Sequence, residues 1–470
     1  MITIVSLGVE KNDWTARAQT AVRGADEVLV RTALTRSAET LSEAGIAFTA
    51  LDFIYEKSRN FDTLKKNLAA EVVRRAEGKN LVYCVDGGVC EDASAKLLLS
   101  RKDVAVIEGV TKGAYAAAAA GVSCAFQSVS AYEAAGRKLT LPLVIYDLDS
   151  RDLASDVKLL LCDKFGDEAP ATFLSGGRKK RIALYEADRQ ETYDSTSMLV
   201  VDEIPLLEKT RFDFDDFLAV MRRLRAPDGC PWDRVQTHES IRLNGVEEMY
   251  ELVDAIDSGD PDKICEEAGD VLMQAVFHTL MEEEKDNFNM TDVMSGLCEK
   301  LITRHTHVFG QDKASGADGA LSVWDKNKMT EKHQTTFSDS VNDVPLCFPA
   351  LLRAQKMCKR TEKGGWKFAD FDGAAKKLSE EIAELKEAYL HGNGEEIALA
   401  LGDALLCMAW LGRAAGAECE QALADATKRM QKLYTTFEAA VRADGKDVNA
   451  LTDEEFARYY SAGKRNVEKS

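Results

Sequence analysis

Two short acidic clusters carry the most specific chemistry in this chain. Glu247, Glu248 and Glu251 form the first; Glu267 and Asp270, with Glu266 beside them, form the second. Glu248 and Glu251 are three residues apart, as are Glu267 and Asp270, and three-apart residues share one helix face. Ser258, Gly259, Asp260 and Pro261 lie between the clusters and signal a turn. The stretch therefore predicts helix, turn, helix, with the two acidic faces able to oppose each other. Ionised carboxylates held together inside a helix pair are costly unless a cation joins them. An all-oxygen ligand set suits magnesium or manganese better than zinc. Met249, Leu252, Val253 and Ile256 flank the first cluster, and Val271, Leu272 and Val276 the second. That places the acids at the edge of an apolar stripe, not on a wholly solvated face. Against this stands the plainer reading of a solvated acidic helix, which suits a single cluster better than a matched pair.

Cations follow at a useful spacing. Lys300 and Arg304 are four apart and share a face, where they can meet phosphate oxygens that a metal leaves uncovered. His305 and His307 are two apart, so they do not share a helix face, and they read as hydrogen-bonded structural groups near Gly310. Pro231 and Trp232 read as a loop anchor ahead of the acidic hairpin.

The pattern occurs twice. Shifting Glu247, Glu248 and Glu251 by 133 positions gives Glu380, Glu381 and Glu384, and the same shift carries Gly269 and Asp270 onto Gly402 and Asp403. Such a gapless match is the mark of an internal duplication. The copy is incomplete, because Glu267 maps to Ala400, and in the altered closing helix near ATKRMQKLY, where the offset is 129 and not 133, the counterparts of Lys300 and Arg304 read as Arg429 and Leu433. Catalysis is therefore expected in the first copy, residues 211–330, and a mainly structural role in the second, residues 346–465. Residues 310–345 read as a linker with one helix at LSVWDKNKMTEK.

Residues 1–205 are different in kind. ITIVSLG, DEVLVRT, NLVYCVDGG, DVAVIEGV and KLTLPLVIYDL read as strands alternating with helical segments such as 61–78. This alternation predicts an α/β domain with a mostly parallel sheet. Its ligands would sit at glycine-rich turns beyond the strand ends. The Ala116–Ala120 run reads as a helix against the sheet. Strand signals stop near 205–210, and helical periodicity takes over from RFDFDDFLAVMRRLR.

Composition narrows the function. The chain has 470 residues, 45% of them hydrophobic, and a net charge of −19. Several domains are expected at this length. The acidic balance argues against nucleic acid polymers or an anionic membrane as the main partner. The 11 cysteines show no CxxC spacing and read as reduced thiols of a cytoplasmic protein. MITIVSLGVEKNDW enters a strand directly and reads as no signal peptide. No run of 18 apolar residues is seen, so no membrane span is expected.

The acidic pattern EExxE followed by ExxD resembles the all-α nucleoside triphosphate pyrophosphohydrolases of MazG type. APDGCPWDRVQTHES at 226–240 resembles that family's opening segment and EKLITRHTHVF at 299–309 its closing helix. Residues 1–205 resemble, more diffusely, a tetrapyrrole (corrin/porphyrin) methylase domain. The implied architecture is an α/β methylase-like domain followed by two all-α helical-bundle modules. The implied reaction is hydrolysis of a nucleoside triphosphate to its monophosphate and pyrophosphate, with Mg2+, or Mn2+, as cofactor. On that resemblance Glu248, Glu251, Glu267 and Asp270 are the metal ligands. Glu247 would orient or deprotonate the attacking water, and Lys300 and Arg304 would hold the triphosphate. Trp324, with Lys328, matches a tail whose aromatic lies near the nucleotide in relatives; the alternative is an aromatic packed on the bundle. A homodimer through the helical half is also implied, as is broad clearance of unwanted nucleotides. Two other readings stay open. One is an S-adenosylmethionine-dependent methyltransferase with a regulatory helical half, although Gly8–Lys11 and Asp86–Val89 depart from that family's usual turns. The other is a non-catalytic oligomeric scaffold.

Overall fold

The structure is a computed structural model describing residues 1–468, with side chains to 465. Five strands open the chain: β1 (Ile2–Ser6), β2 (Glu27–Val30), β3 (Thr49–Ala50), β4 (Leu81–Val85) and β5 (Val104–Ile107). They pair in parallel in the order β3-β2-β4-β1-β5. β1 and β4 are buried along their whole length. This explains their near-continuous apolar sequences, since a parallel sheet is covered on both faces. Leu68 and Val72 of the helix Phe61–Arg75 pack on one side, and Ala18, Val22, Ala38 and Leu41 belong to a second cluster with Val5 and Val30.

The alternation predicted one mostly parallel sheet. The structure holds two. The second contains β6 (Gln127–Ser130), β7 (Leu143–Tyr146), β8 (Pro170–Ser175), β9 (Arg178–Ala183) and β10 (Met198–Val201), in the order β6-β7-β10-β8-β9. Only β6 and β7 run parallel there; the other neighbours are antiparallel. The alanine run lies in the helix Lys112–Ala120, whose Ala116 and Ala117 pack with Val144, Met198 and Val200 of this sheet.

From Phe214 onward the described regular structure is helical. The expected linker helix is present as Gly316–Glu331, and a further short helix, Phe337–Asn342, follows it. The chain forms two compact units, Met1–Met281 and Glu282–Ser470, divided near the end of the helix Pro261–Glu283.

The expectation of no membrane-length apolar segment needs correction. Among the described residues the helix Gly394–Ala414 is long and apolar enough, at a mean hydropathy of 1.5, to cross a membrane. Gly402 and Asp403 interrupt its apolar run, so a search for an unbroken run passes over it. The same helix packs against Phe371–His391.

Candidate metal centre

The acidic hairpin forms as expected, from the helices Arg242–Ser258 and Pro261–Glu283. Gly259 ends the first helix in the left-handed conformation, φ 68°. A residue without a Cβ adopts this at little cost. The second helix starts two residues later at Pro261, where a missing N–H costs nothing.

Across this hairpin Glu248, Glu267 and Asp270 each offer a carboxylate oxygen within 4.8 Å of the others. All three are half-buried. Gln274 lies one turn beyond Asp270, and its Nε2 donates to Glu248 Oε1 at 3.5 Å. Glu267 Oε2 is covered from solvent and has no hydrogen-bond partner. Desolvation, followed by the charges of Asp270 and Glu251, raises the Glu248 carboxyl above its ordinary value. Desolvation raises Glu267 in the same direction, followed by Glu251, Glu266, Asp270 and Glu248. Crowded oxygens with an orphaned lone pair and raised proton affinity form a site suited to a cation. The donors are all oxygen, which fits a hard divalent ion.

Glu247 and Glu251 lie on the same helix and are exposed. Glu251 contributes charge to both Glu248 and Glu267 without joining the three-oxygen cluster. Lys300, Arg304 and Trp324 belong to the other compact unit. There Lys300 lines a cavity of about 490 Å³ with Thr303, Asn327 and Glu331. Arg304 is buried and bidentate to Glu331, at 2.7 and 2.9 Å. The Trp324 ring has Arg304 and Lys328 each 5.1 Å from its centroid. Arg304 thus already has a carboxylate partner, and Trp324 two cations.

The second copy keeps the hairpin and changes its chemistry. Its helices, Phe371–His391 and Gly394–Ala414, meet at Gly392, φ 71°, the position 133 beyond Gly259. Glu381, the counterpart of Glu248, is buried and paired with Lys377 at 2.5 Å; Glu380 lies 3.9 Å from the same ammonium. Lys377 occupies the place of Asn244, and Cys407 the place of Gln274. Sequence reasoning found the missing glutamate at Ala400 but not this lysine, although its four-residue spacing to Glu381 is visible once the register is set. Among the described residues no second carboxylate cluster of this kind occurs.

The turn Asp86–Val89 in the first unit serves packing. Gly87 has φ 70°, and a Cβ there would meet Lys112 Cγ at 2.6 Å; a Cβ at Gly88 would meet Thr111 Cγ2 at 2.6 Å. Lys112 Nζ lies 2.7 Å from Asp86 and 2.6 Å from Asp147, and Arg31 reaches Asp92 at 2.9 Å and Asp86 at 3.5 Å. The glycines make room for this buried ion network.

Fold and site together define a protein with a clustered acidic hairpin, suited to a cation, in a helical region that follows an α/β domain. The profile of the MazG nucleotide pyrophosphohydrolase domain matches residues 236–309, which contain both acidic clusters. The chain is 35% identical to the nucleoside triphosphate pyrophosphohydrolase/pyrophosphatase MazG of Thermotoga maritima, over 53% of this chain and 95% of that one. It is 33% identical to the nucleoside triphosphate pyrophosphohydrolase of Escherichia coli K12, over 53% and 97%. The uncharacterized protein YabN of Bacillus subtilis is 30% identical over 76% of each chain. A uroporphyrin III C-methyl transferase of Thermus thermophilus covers 43% of this chain and 92% of its own length, at a TM-score of 0.33 and 17% identity. The chain belongs to the MazG nucleotide pyrophosphohydrolase family and is a hydrolase of that class, with an α/β domain ahead of the helical region.

Proposed function

We propose that this protein hydrolyses nucleoside triphosphates, (d)NTP and water giving (d)NMP and diphosphate, in a magnesium-dependent reaction of broad base specificity suited to clearing unwanted nucleotides. The observation that carries this reading is the set of three carboxylate oxygens, from two helices, within 4.8 Å of one another. Glu248, Glu267 and Asp270, joined by Glu251, hold the ion. Mg2+, or Mn2+ in its place, supplies charge neutralisation on the phosphates and acidifies a water ligand. Glu247 orients or deprotonates the attacking water, and Lys300 and Arg304 bind the triphosphate, Arg304 exchanging its Glu331 contact for phosphate oxygen. Trp324 lies beside the nucleotide.

The organisation proposed with it is an α/β domain over 1–205, a catalytic module over 211–330 and a structural module over 346–465. The reduced charge around Lys377 supports the last assignment. A homodimer formed through the helical half is part of the same reading. The test is pyrophosphate release from a panel of NTPs and dNTPs with magnesium, comparing wild type with Glu267→Gln. Release abolished by the substitution supports the first module as the catalyst. Release that persists unchanged refutes these ligands.

A further inference from the structure

Gln274 stands beside the acidic cluster and has no part in the reaction as described so far. Glu267, Asp270 and Gln274 follow one another at three and four residues on the helix Pro261–Glu283, so they share a face. The facing helix approaches closely there: a Cβ at Gly245 would lie 3.9 Å from Gln274 Cβ. Gln274 is half-buried, with Nε2 donating to Glu248 Oε1 at 3.5 Å. An ionised carboxylate only accepts hydrogen bonds, so the amide must turn its NH2 end to Glu248. Its carbonyl end, Oε1, is then covered from solvent and has no donor.

A buried acceptor left without a donor costs about 1–3 kcal/mol. An apolar side chain of the same length would avoid that cost, so packing alone does not explain an amide here. Glu267 Oε2, on the same helix face, is orphaned in the same way. A hydrated cation at the cluster would satisfy both, with Glu267 Oε2 binding the ion directly and Gln274 Oε1 accepting from a water in its shell.

The internal duplication supplies a comparison. In the second hairpin the place of Gln274 is taken by Cys407, and that of Glu248 by Glu381. Burial, then the charge of Glu381, raises the Cys407 thiol, so the residue at this place again faces the acid. A thiol is a weak donor and does not replace an amide. Glu381 instead pairs with Lys377 at 2.5 Å, and the third carboxylate is lost at Ala400. The amide is present where the carboxylate set is complete and absent where the acid is neutralised by a lysine.

We propose that Gln274 is a positioning residue of the metal centre, which orients the Glu248 carboxylate through Nε2–H and completes the polar shell around the ion with Oε1. This rests on the reading of the acidic hairpin as that centre. The contact to Glu248 is at the outer limit of a hydrogen bond, so its effect is on orientation more than on stability.

The test is Mn2+ binding to the full-length chain, followed by the electron paramagnetic resonance of the free ion, without nucleotide. Gln274→Met keeps the length and removes both polar groups. Gln274→Cys is a second variant, since the other hairpin already accommodates Cys407 at this place. Both should bind Mn2+ roughly 10–100-fold more weakly than wild type. Their melting temperatures without metal should be unchanged or higher. Glu248→Asp draws the carboxylate back from the amide, and in that background Gln274→Met should cost about twofold or less. Wild-type affinity in both Gln274 variants overturns the proposal. So does an affinity loss that is equally large beside Glu248→Asp and accompanied by a lower melting temperature, which marks a merely structural residue. No binding by wild type, or undiminished binding by Glu267→Gln, overturns the metal centre and this role with it. Binding lost in Glu267→Gln and kept in both Gln274 variants overturns this role alone.

Discussion

At the residue scale, a charge exchange adds to the loss of Glu267 in separating the two acidic hairpins. Glu248 has uncharged Asn244 one turn before it, whereas Glu381 has Lys377, whose ammonium is held above its ordinary value by the Glu381 hydrogen bond and the charges of Glu381, Glu384 and Glu380. A lysine in that place neutralises internally what, on the proposed function, a divalent ion would neutralise in the first copy. Asn244→Lys should therefore lower metal affinity by roughly 10–100-fold, the usual range for substitutions beside a metal's ligands. Melting temperature without metal should be unchanged or higher. A magnesium titration of pyrophosphate release checks this, and an unchanged half-saturation point would show that Asn244 does not face the ion. A second residue-scale test concerns Lys112, which is 3% exposed between Asp86 and Asp147. Lys112→Met leaves Asp86, which is buried, to Arg31 alone and Asp147 without its ammonium partner, and should cost about 3–5 kcal/mol, read by denaturant unfolding of the α/β domain. Burial pushes the Asp86 carboxyl up, yet Lys112 and Arg31 outweigh it and hold the group well below the usual carboxylate range. A depressed carboxyl stabilises the fold above its unfolded value of about 3.9 and loses that contribution as pH falls through the folded value. Acid unfolding should accordingly begin at higher pH in Arg31→Met than in wild type.

At the scale of elements, the repeat extends from acids to helix ends. Gly259 and Gly392 close equivalent helices at φ 68° and 71°, and neither Cβ would meet an atom within 4 Å. Gly392→Ala should cost only the left-handed backbone penalty, about 1–2 kcal/mol, measured by thermal unfolding. A much larger loss would mean the turn is packed by something else. These helices were legible because turn residues, acids and apolar positions all agreed, and the register fixed the second copy from the first. The three-oxygen cluster was legible as a set of candidates, while Glu251 standing outside it was not, because spacing alone does not distinguish a ligand from a neighbouring charge. The parallel sheet was legible because strands buried on both faces are continuously apolar. The second sheet was hidden for the opposite reason. β9, RKKRIA, is an edge strand with four exposed cations, the pattern that keeps an edge from pairing further and that also removes its strand signal. Arg304 illustrates a different limit: its spacing to Lys300 was visible, but its ion pair with Glu331, 27 residues away, was not.

For the whole molecule, the decisive quantity is apolar surface left uncovered in the helical region. Leu243, Val246, Met249, Tyr250 and Ile256 are exposed on the first acidic hairpin, and Tyr389, Leu390, Leu399, Leu405 and Met408 on the second. A net charge of −19 opposes nonspecific association by self-repulsion without covering these faces. A lipid surface is a poor cover for the Gly394–Ala414 helix, because Asp403 falls near its middle, where an acid costs roughly 2.5–3.5 kcal/mol in a bilayer. A second copy of the chain avoids that cost, since an isologous interface can leave the acidic edge to water while burying the apolar stripe. Sedimentation equilibrium should therefore give a dimer mass, and melting temperature should rise with protein concentration, as mass action requires when only the folded state associates. Leu399→Glu should shift that equilibrium toward monomer, and wild type should not float with anionic vesicles. A monomer at all concentrations, or flotation with lipid that Leu399→Glu abolishes, would transfer the exposed stripe from a protein partner to the membrane.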